Sequence, residues 1–275
     1  YGNLEAQRVQ RFAAIEDMDL HQCTIEEREE YEPHIQRGNV LYAGVDYQEI
    51  LAEAEQEADV IIWDGGNNDF PFYQPDLAIT VVDPHRPGHE LMYYPGEVNL
   101  RMADVVIINK VDTAKPADIE AVRTNIKAAN PSAEIIECRS PITVTNPELL
   151  EGKRVLVVED GPTLTHGEMK YGAGFIAAQA AGAVIVDPRE QAVSSIAETY
   201  EKYPHMGPIL PAMGYGEQQI KDLAATIERF DVDAVVIGTP IDLQRIIKIS
   251  KPTVRVTYDL ADDSGQLVKL LERFC

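Results

Sequence analysis

Asn109, Lys110 and Asp112 stand together at the end of a short apolar run, Val105 to Ile108. Their types and spacing suit a guanine base. A carboxylate at Asp112 can accept two N–H bonds from the Watson–Crick edge of guanine, which adenine does not offer. The stem of Lys110 can lie along the base plane while its ammonium stays hydrated. The Asn109 amide can brace the neighbouring loop and the purine N7. The plainer alternative is a strand that ends in a polar turn.

Other strand ends carry groups that handle phosphate and metal. Asp64 follows Asp59-Val-Ile-Ile-Trp63 and precedes Gly65 and Gly66. An acid at a strand tip, then glycines that let backbone approach a ligand, resembles the arrangement that holds a magnesium water shell under a terminal phosphate. Asn67 stands where a GTPase Asp-x-x-Gly motif has its glycine, so the match is partial and a turn-forming role stays open. The loop Asp83 to His89 gathers His85, Arg86 and His89, a cationic cluster in an acidic chain. Arg86 offers a fork for phosphate oxygens, and His85 can exchange protons near neutral pH. The Asp83-Pro84 and Asp187-Pro188 pairs read instead as turn and helix-cap acids. Glu159 to Gly167 is the longest turn-rich run after an apolar strand. It holds two carboxylates, Glu159 and Asp160, two hydroxyls, Thr163 and Thr165, and the imidazole of His166, with Lys170 close behind, a set able to supply a base or a second phosphate site. Gly207 to Gly216 and Gly238 to Asp242 also follow apolar runs. The first is not a dinucleotide fingerprint, because Gln219 stands where the final small residue belongs.

The elements that must position these groups recur regularly. Short apolar runs are expected as strands at 59–63, 77–82, 105–108, 134–138, 155–158, 184–186, 209–210, 234–237 and 254–258. Helical spacing predicts helices at 116–129, 172–181, 193–202, 217–229 and 266–274. Near the start, 4–22 reads as helix, Thr24 to Glu27 as a capping box, Val40 to Ala43 as a short strand and Tyr47 to Ala58 as a helix. The alternation predicts an α/β fold with a parallel, doubly wound sheet. The polar stretch Glu148 to Lys153 is the expected joint between residues 1–150, which carry the nucleotide motifs, and a second α/β segment at 151–275. Ser140, just past the 134–138 strand, joins the nucleotide-site candidates.

The chain has 275 residues, 46 acidic and 24 basic, for a net charge of −22. Such a surface repels nucleic acid and anionic membranes, which disfavours both as partners. It repels a polyphosphate too, unless a metal ion and local cations screen the site. Cys23, Cys138 and Cys275 are far apart and odd in number, with neither zinc spacing nor a disulfide framework, which fits a reducing, cytoplasmic compartment. Homo-oligomerisation stays open.

No G-x-x-x-x-G-K-[ST] loop occurs. That loop cradles the β and γ phosphates, and base contacts with one magnesium carboxylate do not replace it. The chain opens Tyr1-Gly2-Asn3-Leu4 directly ahead of an expected helix, so it reads as a fragment beginning inside a fold, inactive by itself.

The runs W-D-G-G-N-N-D-F-P-F-Y, V-V-D-P-H-R-P-G-H-E-L, N-L-R-M-A-D-V-V-I-I-N-K-V-D, V-E-D-G-P-T-L-T-H-G and P-A-M-G-Y-G resemble predicted GTPases related to cyclic 2,3-diphosphoglycerate synthetase. The resemblance covers essentially the whole chain. It implies the C-terminal portion of a P-loop-type nucleotide-binding fold followed by a Rossmann-like segment, with the phosphate loop upstream. It implies a magnesium-dependent enzyme that uses ATP or GTP to close a phosphoanhydride ring on a small phosphorylated substrate. Carried onto this chain, Asp64 serves the metal and Gly65 and Gly66 approach the nucleotide. Asn109, Lys110, Asp112 and Ser140 face the base. Arg86 and His166 act at the second phosphate, and His85, Asp160, Thr163 and Lys170 bind substrate. An Asn-Lys-x-Asp motif argues for GTP, whereas the synthetase activity implies ATP. A regulatory or maturation-type GTPase acting through protein contacts is the alternative.

Overall fold

A computed structural model describes residues 4–65, 69–165, 169–213 and 216–274, without the side chains of Ile25, Glu26, Pro162 and Thr163. Along the chain the elements are β1 (Gln10–Phe12), α1 (Ile15–Leu20), α2 (Ile25–Gln36), β2 (Leu41–Ala43), α3 (Tyr47–Ala54), β3 (Ile79–Val82), α4 (Gly96–Met102), β4 (Val105–Ile108), α5 (Pro116–Ala129) and β5 (Glu134–Glu137). There follow β6 (Ile142–Val144), β7 (Arg154–Asp160), α6 (Gly161–Thr165), α7 (Ala173–Ala180), β8 (Val184–Ile185), α8 (Ser194–Lys202), β9 (Leu210–Ala212), α9 (Glu217–Arg229), β10 (Ala234–Ile237), β11 (Thr253–Tyr258) and α10 (Gln266–Leu271). The fold is α/β with parallel sheets. None of the helices among the described residues is long and apolar enough to cross a membrane.

The chain divides into two units, 46–141 with 259–275, and 1–45 with 142–258. The expected division at residue 150 is therefore not where the contacts divide. Residues 1–45 group with the later α/β segment, and a partner so far along the chain has no local signature in the sequence.

In the unit of 46–141 and 259–275, β3, β4 and β5 form a parallel sheet with β4 central. All four residues of β4 are buried. Val106 and Ile108 pack with Leu100, Val122 and Ile126 on one face. Val105 and Ile107 pack with Ile136, Cys138, Leu267 and Leu270 on the other. Period-two alternation against helices on both sides explains why this strand reads as one unbroken apolar run. Pro116 starts α5 with a preset φ, and Ile119, Val122 and Ile126 form its inward stripe.

The expected strand at 59–63 is not formed. Residues 59–65 are irregular, and Val60, Ile61 and Ile62 are 51, 39 and 82% exposed. On β3, Thr80 and Val82 are buried while Ile79 and Val81 are exposed. A strand exists by pairing with a neighbour, and 59–63 has no ladder partner among the described residues.

In the unit of 1–45 and 142–258, the sheet order is β6-β11-β10-β7-β8, with β9 also pairing β7. The strands β7 to β11 run parallel. The edge strand β6 runs antiparallel to β11, which departs from the all-parallel expectation. Val155 to Val158 and Ala234 to Ile237 are all fully buried, with residues of α7, α8 and α9 among their core partners. The expected 4–22 helix is instead β1, paired antiparallel with β2, then the short α1. The capping box of α2 is present: Thr24 Oγ1 accepts from Glu27 N–H at 3.3 Å and Glu27 Oε2 accepts from Thr24 N–H at 2.7 Å.

Candidate functional site

Open α/β sheets place ligands at the carboxyl ends of their strands. In the three-stranded sheet those ends are Val82, Ile108 and Glu137, paired in register: Val82 with Ile108, and Ile108 with Glu137. The residues that follow lie side by side. Asn109 N–H donates to Val82 O at 3.1 Å, which extends the ladder by one step. The Asn109 side-chain oxygen accepts from Lys110 N–H at 2.9 Å. Lys110 turns the chain with φ +58, and its ammonium donates to Asp83 Oδ2 at 2.8 Å. Asp112 Oδ1 accepts from Ser140 N–H at 3.2 Å, and Val111 N–H donates to Cys138 O at 3.2 Å. Arg139, between Cys138 and Ser140, grips Asp263, with Nη2 to Oδ1 at 2.7 Å, and its N–H donates to Ala261 O at 2.9 Å. Asn109, Lys110, Asp112 and Ser140 thus meet at one rim.

His85 Nε2 lies 2.9 Å from Thr113 Oγ1, which ties the β3 loop to the Asn-Lys-x-Asp loop. Arg86 is directed at Asp83, with Nη2 to Oδ2 at 3.7 Å, and is 41% exposed. Asp83, which the sequence suggests to be a turn acid, receives the His85 amide at 2.9 Å as such an acid does. It also receives Lys110, which the sequence alone does not indicate. The signal lies in strand register, since the acid after one strand borders the lysine after its neighbour.

Asp64 and Gly65 lie in the exposed irregular stretch, not at a strand tip. A Cβ on Gly65 would meet Trp63 Nε1 at 3.0 Å. Magnesium keeps much of its water and takes one or two protein carboxylates beside substrate phosphates. One exposed acid of this kind fits that donor chemistry. Among the described residues no three His, Cys, Asp or Glu side chains converge to hold a metal ion. Gly66, His166 and the side chain of Thr163 lie outside the described residues.

The second sheet has its own rim. Chain crossovers leave β7 toward β8 and β9 on one side and reach β10 on the other, so the β7–β10 border is the topological switch point. Glu159 and Asp160 end β7 there, and Gly238 and Thr239 follow β10. Glu159 is 2% exposed. Its Oε1 accepts from Gly172 N–H at 3.1 Å and Phe175 N–H at 2.7 Å, at the start of α7. Burial pushes its carboxyl up to about 7, against the pull of the Phe175, Gly174 and Gly172 amides, with Asp160 pushing further. Sequence reasoning counts Glu159 as one of two carboxylates in this run and carries Asp160 forward as the site residue; that Glu159 is the buried one of the two is not read from the sequence. Lys170 is exposed, and its carbonyl accepts from Gly207 N–H at 2.6 Å. A cavity of about 350 Å³ opens near the ends of β7 and β9, walled by Thr165, Ser195, Glu198, Lys202, Tyr203 and Met213.

Residues 35–138 match the family described as cyclic 2,3-diphosphoglycerate synthetase, P-loop domain. The whole chain is 64% identical over 277 residues to the arginine synthetase ArcE of Thermococcus kodakarensis, and it spans 62% of that protein's length. It is 30% identical over 115 residues to a cyclic 2,3-diphosphoglycerate synthetase of Thermococcus sibiricus, covering 41% of this chain and 25% of that protein. A cyclic 2,3-diphosphoglycerate synthetase of Pyrococcus furiosus is 23% identical over 123 residues, 38% of this chain and 28% of that protein. All three are named as synthetases and none as a GTPase. The expected kinship with cyclic 2,3-diphosphoglycerate synthetase is thus present, and the strongest of these three likenesses is to an arginine synthetase.

Proposed function

We propose that this chain forms part of a nucleotide-driven synthetase that builds a cationic amino acid of the arginine type. The observation that carries the reading is the 64% identity to an arginine synthetase along the whole chain. A chain of net charge −22 attracts a cationic amino acid, while any polyphosphate, the nucleotide included, needs a metal ion and local cations to screen it. In this reading Asn109, Lys110, Asp112 and Ser140 hold the purine of ATP or GTP. Asp64 takes a place in the magnesium water shell, with Gly65 and Gly66 beside the phosphates. When bound, the metal screens phosphate charge. Arg86 and His85 supply positive charge and a proton-exchanging group beside the base loop.

The cavity of about 350 Å³ is within the range of small-ligand sites and offers Glu198 for an ammonium and Lys202 for a carboxylate. Asp160 ends β7, and Thr163, His166 and Lys170, which come after it in sequence, are the further substrate-binding candidates of this reading. The γ-phosphoryl group passes to a ureido oxygen of the acceptor as its bond to the nucleoside diphosphate breaks; an ammonia-type nitrogen then attacks the ureido carbon, and the C–O bond breaks to release phosphate. The chain lacks a Gly-rich Lys-Ser/Thr loop, and the arginine synthetase is longer than the matched region. The full protein is therefore the species to assay, with this chain by itself expected to be inactive.

The test is turnover of ATP and GTP by the full-length protein with candidate ureido and cationic amino acids together with an ammonium salt, and separately with 2,3-diphosphoglycerate. Amino-acid-dependent release of nucleoside diphosphate supports the reading. Turnover stimulated only by 2,3-diphosphoglycerate would move the function to the phosphoanhydride synthetases. The family match over 35–138 is the observation favouring that second reading. Turnover indifferent to every small acceptor would favour a GTPase that works through protein contacts.

A further inference from the structure

An exposed ion pair holds little energy because both side chains wander. The pair between Asp83 and Lys110 is built differently. The Asp83 side chain is 15% exposed and Lys110 is 39% exposed. Both Asp83 oxygens are engaged: Oδ1 by the His85 amide at 2.9 Å, and Oδ2 by Lys110 at 2.8 Å, with Arg86 at 3.7 Å. Burial pushes the Asp83 carboxyl up, but Lys110, the His85 amide and Arg86 outweigh it and hold it below the usual carboxylate range. The acid is a fixed anion.

The lysine is fixed at its other end as well. Its φ of +58 lies in the left-handed region, which a residue with a side chain adopts only where its surroundings impose it. Thr113 N–H and Ala114 N–H both return to Lys110 O, at 3.2 and 3.1 Å. The backbone is held by the turn and the ammonium by Asp83, so the four methylenes between them are tethered at both ends. A stem held this way presents a flat apolar edge, the surface that packs on a purine face with the charge kept to the side.

We propose that Asp83 is a positioning residue for nucleotide binding: it fixes the Lys110 ammonium so that the lysine stem is presented to the face of the purine. This inference rests on the nucleotide reading above. Asp83 itself does not touch the nucleotide. Its contribution passes through Lys110, and the His85–Thr113 contact keeps the two loops together while it does so.

The experiment measures dissociation constants of mant-ATP and mant-GTP with the full-length protein and four variants. The parent protein is expected to bind at least one of them; binding of neither would sink the nucleotide reading and this inference with it. Given binding, Asp83→Asn is expected to raise the constant about tenfold, and Asp83→Glu to recover part of the loss. Lys110→Ala is expected to lose a similar factor. The double variant Asp83→Asn/Lys110→Ala should bind no more weakly than Lys110→Ala, because the acid acts through the lysine. Losses that multiply in the double variant, or an unchanged constant in Asp83→Asn, overturn the proposal and leave the nucleotide reading intact. A second measurement needs no variant. In the free parent protein acetic anhydride should modify Lys110 more slowly than the exposed Lys153, because Asp83 holds the Lys110 ammonium. Equal rates at the two lysines overturn the proposal even if Asp83→Asn does not fold.

Discussion

Glu159, next to last in β7, and Gly238, just past the end of the adjacent parallel strand β10, are in contact, with the glycine backbone directly against the carboxylate of the acid. A Cβ on Gly238 would collide with Glu159 Oε2 and lie 2.9 Å from Gly174 N. Glycine is the residue that lets β10, the start of α7 and a buried acid share this space. Gly238→Ala is expected to destabilise the protein by about 1–3 kcal/mol, the cost of overpacking a filled site. At Gly216 a Cβ would meet open space, and the backbone is extended, with φ −161. Gly216→Ala should therefore stay within about 0.5 kcal/mol of the parent protein. Urea denaturation of the two variants checks the contrast, and equal midpoints would remove the steric argument.

The same acid sets a pH dependence. Folded, Glu159 keeps its proton up to about 7, whereas its ordinary value is 4.5. Between those values the folded state binds more protons than the unfolded state, so its contribution to stability falls as pH rises from about 4.5 to 7 and is level above. Glu159→Gln abolishes that titration. The variant should gain on the parent protein across this window, by up to about 3 kcal/mol at about 1.4 kcal/mol per pKa unit. Unfolding free energies at pH 5 and pH 8 give the difference. A constant gap between variant and parent would mean that Glu159 titrates as an ordinary carboxyl.

Asp112 is the residue on which base selectivity turns. Asp112→Asn in the full-length protein is expected to weaken GTP binding by about 1–3 kcal/mol, the range for a hydrogen bond to a charged group. ATP binding should change far less. Titration with both nucleotides separates the cases: equal GTP affinity in the two proteins removes Asp112 from the base site.

Hydrophobic character and burial part company in the smaller unit. Ile108 is fully buried and Ile62 is 82% exposed. Ile108→Ala should cost about 2–5 kcal/mol through lost burial and the cavity left behind. Ile62→Asn should fall within about 0.5 kcal/mol of the parent protein. A large loss from Ile62→Asn, read from denaturation midpoints, would mean that this side chain is covered in solution.

That contrast marks where the sequence is legible. Strand β4, strand β10 and helices α5 and α9 follow from local periodicity, and their ends agree with the expected ranges. The run Val60-Ile61-Ile62 has the same local character as β4 yet forms no strand, because pairing is a property of neighbours and not of the segment. The Asn109–Asp112 turn is legible as a motif, since its four residues are contiguous. Its tie to Asp83 is not, because that depends on the register of β3 against β4. The burial of Glu159 is hidden for a related reason: only the arrival of Gly172, Phe175 and Gly238 from other segments makes it a buried acid.

The interleaving of the two units along the chain has a consequence for synthesis. Leu267 and Leu270 of α10 complete the apolar packing against Val105 and Ile107, more than 150 residues after that strand is made. Residues 1–45 likewise wait for 142–258. Each unit draws on segments far apart in sequence, so the part of the β4 face that Leu267 and Leu270 cover waits for α10. Loop closure over such separations is slow, and the nascent polypeptide is exposed to aggregation until α10 emerges.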